Sequence, residues 1–317
     1  MNKLWLVTGG AGFIGSNIVA ELRRRGEAVR VFDNLATGLE SNLAAFGADV
    51  DFHRGDLRDT AAVATAMRGV THVLHLAALG SVPRSIEDPA QSNDVNVAGT
   101  LNVLVAARDA AVARVVSSSS SSVYGASLEL PKRVGQFLDP ISPYAVTKQA
   151  AEQYTRVFAR VYGLSTVALR YFNVFGPNQR PDSAYAAVIP KFMAWALAAQ
   201  PLVIHGDGLQ ARDFTYVANV VSANLLAATA DGVDGEVFNI ACGKSYSLLD
   251  IADALAAASG HPLERRHVDA RAGDVRKSLA DIEPAMQKLG YRVLVEFEEG
   301  LARTWEVFRE RFGPAAN

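Results

Sequence analysis

The chain has 317 residues, 50% of them hydrophobic in type, enough to bury a large core in one large or two ordinary domains. Lys plus Arg total 31 against 33 Asp plus Glu, which excludes the global basic field of a nucleic-acid or anionic-membrane binder, and no stretch reaches the roughly 18 apolar residues of a membrane span. The single Cys242 excludes an intrachain disulfide framework and a zinc-type cysteine cluster, which fits a soluble protein of the reducing cytoplasm.

In chain order, LWLVTG reads as a strand, Ile14 to Arg25 as a helix, VRVFD and VDFHRGD as strands, and Thr60 to Met67 as a helix. HVLHLA follows as a strand, Asn96 to Ala111 as a helix, RVVSS as a strand, Tyr144 to Tyr162 as a helix and TVALRYF as a strand. Strands that are apolar on both faces and alternate with helices predict a parallel sheet covered on each side, a doubly wound α/β domain. After Asn173 the rhythm changes to GPNQRP, an Ala-rich helix around Pro190 to Ala199, short strands near Leu202 and Val237, and helices over Leu248 to Ala258 and Glu298 to Arg311. The predicted organisation is a dinucleotide-binding domain over 1–173 and a smaller α/β domain over 174–317, with part of 213–241 free to return to the first.

TGGAGFIGS follows the first strand and carries Gly10-x-Gly12-x-x-Gly15 or, counted from Gly9, an equally good glycine triplet. Glycines let the backbone turn tightly and approach a pyrophosphate at a helix N-terminus, where free amides and the helix dipole favour negative charge. The next strand ends in Asp33, about 20 residues on, where a carboxylate bonds the adenosine 2′-hydroxyl and repels a 2′-phosphate, favouring NAD over NADP. The alternative, a glycine turn for close packing beside a surface acid, is disfavoured by the strand–loop–helix context. Asp56 in RGDL is either an adenine contact or a cap.

VVSSSSSSVYG holds six consecutive serines. They follow an apolar strand and lack the Gly and Pro of linkers, so they read as the carboxyl end of a central strand, where doubly wound sheets bind ligands. Period-2 alternation puts Ser118, Ser120 and Ser122 on one side and Ser117, Ser119 and Ser121 on the other, without choosing between them. In SPYAVTK, Tyr144 and Lys148 lie four apart at a helix start, with Pro143 suited to N1. An ammonium beside the phenol would lower its pKa and make a general base, and a serine hydroxyl could hold the substrate oxygen. The alternative is an ordinary surface pair. The six histidines, His75 and His205 among them, show no ligand spacing and read as packing or surface residues, so no metal site is expected; Trp195 reads as core.

These residues resemble the extended short-chain dehydrogenase/reductase family, and within it the nucleotide-sugar 4-epimerases. The resemblance runs through TGGAGFIGS, DNLATG, HLAALGSVPRSIEDP, NVAGTLNVL, SSSVYG, SPYAVTK, LRYFNVFGP, YAAVIP, GDGLQARDF and GDVRKSLAD. It implies a Rossmann-type domain holding NAD along Gly9, Gly12, Phe13, Ile14, Gly15, Asp33, Asn34, Gly38, Asp56, Leu57, Leu76, Ala77, Ala78, Tyr144, Lys148 and Tyr171. It implies Ser120 as the catalytic hydroxyl, Tyr144 as the base and Lys148 as its lysine, with Ser122 packing under the same site. Related 4,6-dehydratases carry Asp-Glu directly after that serine and decarboxylases a Glu two positions on. Ser121 and Ser122 stand there, which favours simple oxidation and re-reduction at C4.

For the UDP-sugar substrate the resemblance implies Arg212 and Arg271 at the diphosphate, Asp274 at the ribose, Asn173 at the diphosphate or sugar, and Ala187 and Val188 beside them. Ser81 and Arg84 would line the sugar pocket. Ser278 is small where glucose-restricted relatives carry an aromatic, which favours UDP-N-acetylglucosamine and UDP-N-acetylgalactosamine over UDP-glucose and UDP-galactose. A UDP-glucuronate 4-epimerase, or a decarboxylase or dehydrogenase on the same scaffold, is the alternative. The helices Asn96–Ala111 and Lys148–Tyr162 resemble a pair through which relatives dimerise, so a homodimer is expected. Departures from the pattern are Val134 in LPKRVG, Ala218-Asn219 after YV, and Ser117 and Ser118 before the serine motif.

Overall fold

The structure, a computed structural model, describes residues 3–181, 187–270 and 276–313. The first half runs β1 (Leu4–Thr8), α1 (Phe13–Arg24), β2 (Ala28–Asp33), β3 (Val50–Arg54), α2 (Thr60–Ala66), β4 (His72–His75), α3 (Val82–Glu87), α4 (Pro89–Asn93), α5 (Gly99–Asp109), β5 (Arg114–Ser120), α6 (Pro143–Tyr162) and β6 (Thr166–Tyr171). The second runs β7 (Val174–Phe175), α7 (Val188–Leu197), β8 (Leu202–His205), β9 (Ala211–Arg212), β10 (Thr215–Tyr216), α8 (Val217–Thr229), β11 (Glu236–Ile240), β12 (Tyr246–Ser247), α9 (Leu248–Ser259), β13 (Arg265–Val268), α10 (Glu283–Leu289) and α11 (Phe297–Phe312).

Seven strands form one parallel sheet in the order β11-β6-β5-β4-β1-β2-β3. The order reverses between β1 and β4, which opens a crevice above their carboxyl ends, the place where doubly wound sheets take ligands. Helices α1 and α8 pack together, as do α2, α5 and α6. Val115 lies in the apolar cluster of the α2–α5 side and Val116 in that of the α1–α8 side. Strand β5 is therefore buried on both faces until its serines begin. Well after leaving β6 the chain re-enters the sheet, β11 pairing parallel with β6 from Glu236 opposite Val167 to Ile240 opposite Tyr171. Beyond the sheet, β8 pairs with β13 and β9 with β12, against α7, α9 and α11.

Helix α6 starts where the sequence puts it. Ser142 Oγ accepts from the Ala145 amide at 3.2 Å, Pro143 occupies N1, and Gly163 ends the helix at φ 67. The helix expected over Asn96–Ala111 differs: α4, a π-helical turn over Asp94–Ala98 and α5 follow one another without a break. Asp88 caps α4 by accepting from Gln91, and Ser81 caps α3 by accepting from Arg84, so polar side chains order a stretch to which the apolar pattern assigns no element. The alternation expected through Ser122 also stops early. β5 ends at Ser120, and Ser121–Tyr124 turn as a 3₁₀ helix capped by the Ser120 hydroxyl, so Ser122 does not follow Ser118 and Ser120 on the pleat. Asn219, one of the departures, ties α8 to the segment before α11. Its Nδ2 donates to Val295 O at 2.8 Å while Oδ1 accepts from the amides of Leu294 and Val295.

Candidate active site

A cavity of about 650 Å³ opens over the switch point. Its floor is the glycine loop. Gly9 has φ +71, and a Cβ on Gly15 would stand 2.1 Å from the Gly9 carbonyl oxygen, a clash no side chain could relieve. Gly12 is the N-cap of α1 and makes no side-chain capping bond. The helix thus offers its first amides to the cavity, as a pyrophosphate requires. Asp33 closes the far side: Oδ2 accepts from Ala11 N at 3.0 Å and Oδ1 from Leu35 N at 2.8 Å, while burial raises its pKa against those two bonds. Asp56 is also in the wall, held below the usual carboxylate range by Arg58, with Asn34 bonded to it at 3.0 Å. This cradle fits a dinucleotide.

Of the residues the sequence assigns to the cofactor, Gly9, Gly12, Phe13, Ile14, Gly15, Asp33, Asn34, Asp56, Leu57, Leu76, Ala77, Ala78, Tyr144, Lys148 and Tyr171 line this cavity. Gly38 is not part of this wall; it packs against the glycine loop, where a Cβ would meet the Ala11 carbonyl carbon at 2.9 Å. Ser81 and Arg84 are in the same wall.

The Ser120 side chain lies beside the Tyr144 phenol, within reach of a hydrogen bond to it. Such a bond favours phenolate, but desolvation outweighs it and the phenol's pKa is raised. Lys148 donates Nζ to the Ser118 carbonyl at 2.9 Å and to its hydroxyl at 3.2 Å, and burial pulls the ammonium down to about 8. The expected lowering of the phenol by its lysine is therefore not the dominant effect in this arrangement. Ser118, which the sequence could not choose among its neighbours, is a contact in the site. Ser122 is half-buried and its hydroxyl has no hydrogen-bond partner.

A buried relay supports this wall. Thr100 Oγ1 donates to the Asn96 carbonyl at 2.6 Å, so it accepts from His75 Nε2 at 3.0 Å, leaving Nδ1 to accept from Thr8 Oγ1 at 2.7 Å. Thr8 Oγ1 in turn accepts from the Ala77 amide at 3.3 Å. Asn96 Nδ2 donates to Thr147 Oγ1, which donates to the Tyr144 carbonyl. The π-helical turn carries the Asn96 amide to that position. Burial, reinforced by the Lys148 charge, pulls His75 down to about 3 and keeps it neutral. It is a buried packing residue with both ring nitrogens hydrogen-bonded. Among the described residues no cluster could hold a metal ion.

A second cavity of about 300 Å³ is lined by Asn173, Val188 and Arg212, with Ala187 and Gln179 common to both cavities. Asn173 donates Nδ2 to the Asp213 carbonyl at 3.0 Å. Trp195, expected in the core, is half-buried in this wall beside His205 and Gln210. Ser278 walls neither cavity; its amide bonds the Ala211 carbonyl at 3.0 Å, next to Arg212. Arg271 and Asp274 lie outside the described residues. Sequence reasoning missed Thr37, Asn42, Asn178 and Gln179 in the first cavity. Asn178, at φ 71 in GPNQRP, belongs to the residue type that most readily takes a left-handed turn, and that was the available signal.

The sequence pattern of the NAD dependent epimerase/dehydratase family matches residues 5–241. A UDP-glucose 4-epimerase of Mycolicibacterium smegmatis is 37% identical over 310 residues, 96% of this chain and 98% of its own. A UDP-N-acetylglucosamine 4-epimerase of Methanobrevibacter ruminantium, solved with UDP-N-acetylmuramic acid, superposes with a TM-score of 0.93 at 38% identity, covering 98% of this chain and 99% of its own. A UDP-glucose 4-epimerase of Thermotoga maritima, solved with UDP-glucose, gives 0.92 at 38%, covering 97% and 99%. The chain belongs to the NAD dependent epimerase/dehydratase family; it is an enzyme, and NAD is its cofactor. None of its described helices is long and apolar enough to cross a membrane.

Proposed function

We propose that the protein inverts C4 of a UDP-sugar through a 4-keto intermediate, and that UDP-N-acetylglucosamine and UDP-N-acetylgalactosamine are the pair it interconverts. The observation that carries the reaction is Tyr144 in the wall of the cavity that the glycine loop floors, with the Ser120 side chain beside its phenol and Lys148 one helical turn on in the same wall. NAD supplies a hydride acceptor in the first half-reaction and a donor in the second. Tyr144 Oη takes the proton of the sugar 4-hydroxyl as C4 is oxidised and returns it when C4 is reduced on the opposite face. Ser120 holds the substrate oxygen through the change, and Lys148 fixes the strand end by its bonds to Ser118. Ser121 and Ser122 offer no carboxylate for elimination or decarboxylation. Residues 1–173 hold the cofactor in this reading, and 174–317 the nucleotide half of the substrate, with Asn173 at the junction and Arg212, Arg271 and Asp274 beyond it.

Ser81 in the sugar-side wall and the small Ser278 beside Arg212 support the N-acetyl preference, as does the likeness to an enzyme named for UDP-N-acetylglucosamine. The same reading carries a homodimer, with Val146, Tyr154, Val157, Val161 and Tyr162 left exposed on α6 to cover one another. Incubation with UDP-N-acetylglucosamine, UDP-glucose and UDP-glucuronate separately, followed by resolution of the C4 epimers, tests the proposal. Conversion of the N-acetyl sugar is expected. Conversion of glucose alone would overturn the preference, and net NADH formation without an epimer would overturn the reaction class.

A further inference from the structure

Beneath the catalytic hydroxyls lies a buried ion pair that the reaction does not touch. Ser119 stands between Ser118 and Ser120 and projects to the α6 side of the sheet, where its hydroxyl donates to Glu152 Oε2 at 2.7 Å. The same carboxylate accepts from Arg170 Nε at 2.8 Å and from a terminal guanidinium nitrogen at 2.7 Å. The Glu152 and Arg170 side chains are 0% and 2% exposed. Arg170 is the register partner of Ser119 in β5 and of Asn239 in β11, so one row of polar side chains crosses three strands. The row is closed by Tyr124, whose hydroxyl accepts from Arg170 at 2.8 Å and donates to Asn239 Oδ1 at 2.6 Å. Asn239 Nδ2 donates to the carbonyls of Lys132 and Asp281, which ties the row to the segment that follows Ser278.

A desolvated pair of this kind is a poor source of stability, since apolar residues of the same volume would hold the fold as well. What it supplies is position. Tyr144, Lys148 and Glu152 stand at i, i+4 and i+8 on one face of α6 and meet three consecutive serines, Ser120, Ser118 and Ser119 respectively. Of the three contacts only that of Glu152 is anchored from a second strand, by the two-pronged guanidinium.

We propose that Glu152, clamped by Arg170, is a positioning residue for the reaction: by holding Ser119 against α6 it sets the separation of the Ser120 hydroxyl and the Tyr144 phenol. The inference rests on the epimerase reading above. Two variants of the full chain test it. Ser119→Ala cuts the strand from the carboxylate and leaves the ion pair, while Glu152→Gln keeps the shape and unbalances the charge. Both should lower kcat roughly tenfold or more, with KM for the UDP-sugar and bound NAD held within about twofold. The double variant should be no slower than the slower single one, since both act on one contact. Full kcat in Ser119→Ala, whatever its melting temperature, would overturn the proposal, as would a raised KM at unchanged kcat. Should Glu152→Gln fail to fold, Ser119→Ala decides alone. A wild type inert on every UDP-sugar would overturn the epimerase reading, and this inference with it.

Discussion

Lys148 and Tyr144 share one helix face, yet the ammonium is bonded to Ser118 while the phenol lies beside Ser120. Two hydroxyls on the same side of one strand thus divide the pair between them. The phenol is left with burial pushing its pKa up and a single serine opposing. Removing either partner of that contact should be felt in the rate before it is felt in binding.

Tyr144→Phe removes the proton acceptor and leaves the ring in place, so kcat should fall by about 10²–10⁴ while NAD stays bound. Ser120→Ala keeps the base and loses its partner, and should cost less. Stopped-time epimer analysis together with NAD content of the purified variants checks both. Undiminished turnover in Tyr144→Phe would remove the assigned base.

The lysine writes a signature at alkaline pH. Its folded value of about 8 lies below the ordinary 10.5, so between those limits the unfolded chain holds the proton longer and the wild type gains stability as pH rises. Relative to Lys148→Met, the gain from pH 7.5 to 9.5 should be about 2 kcal/mol. Urea unfolding of both proteins at the two pH values measures it, and a difference that does not change with pH would contradict the burial of a charged amine.

His75 writes the acid counterpart. With a folded value of about 3 against an ordinary 6.5, the unfolded chain takes up the proton first, so stability is lost as pH falls below 6.5. Relative to His75→Leu, the wild type should lose about 2 kcal/mol between pH 7 and 5. The variant is weakened in another way, because Thr8 and Thr100 lose a partner at about 1–3 kcal/mol for each group left unsatisfied. Parallel unfolding curves at pH 7 and pH 5 separate the two effects.

Asp33 serves the glycine loop as well as any ribose. In Asp33→Asn an amide NH₂ would face either the Ala11 or the Leu35 N–H, donor against donor. NAD affinity should fall more than about tenfold, and the preference over NADP should narrow, since the repelling charge is gone. Titration calorimetry with both dinucleotides measures the ratio.

Much of this was legible in the sequence because it is local. The glycine spacing, the acid ending β2, and the Pro-Tyr-x-x-x-Lys helix start are set within a few residues, and each lies where its pattern put it. What could not be read depends on groups brought together from far apart. Which serine receives Lys148 turns on where β5 ends, and a run of identical residues carries no periodic signal of that. Glu152 and Arg170 sit on different elements 18 residues apart, and nothing in either segment announces a buried pair. Helix α8 lacks a side-chain cap and opens on branched residues, so VANVV gives no start signal. The π-helical turn is likewise silent, since an extra residue in a helix shifts a face by less than the scatter of the apolar pattern.

The polar row across β5, β6 and β11 also bears on how the enzyme comes into being. Tyr144 and Lys148 are synthesised long before Asn239, yet the Tyr124 hydroxyl, which accepts from Arg170, finds its own acceptor on Asn239 only when β11 docks beside β6. A nascent chain that has emerged only as far as Gly235 carries every proposed catalytic residue with the edge of its sheet still open. Competence for turnover should therefore arrive late, with the last strand to join, and an N-terminal fragment that holds dinucleotide need not be a working enzyme.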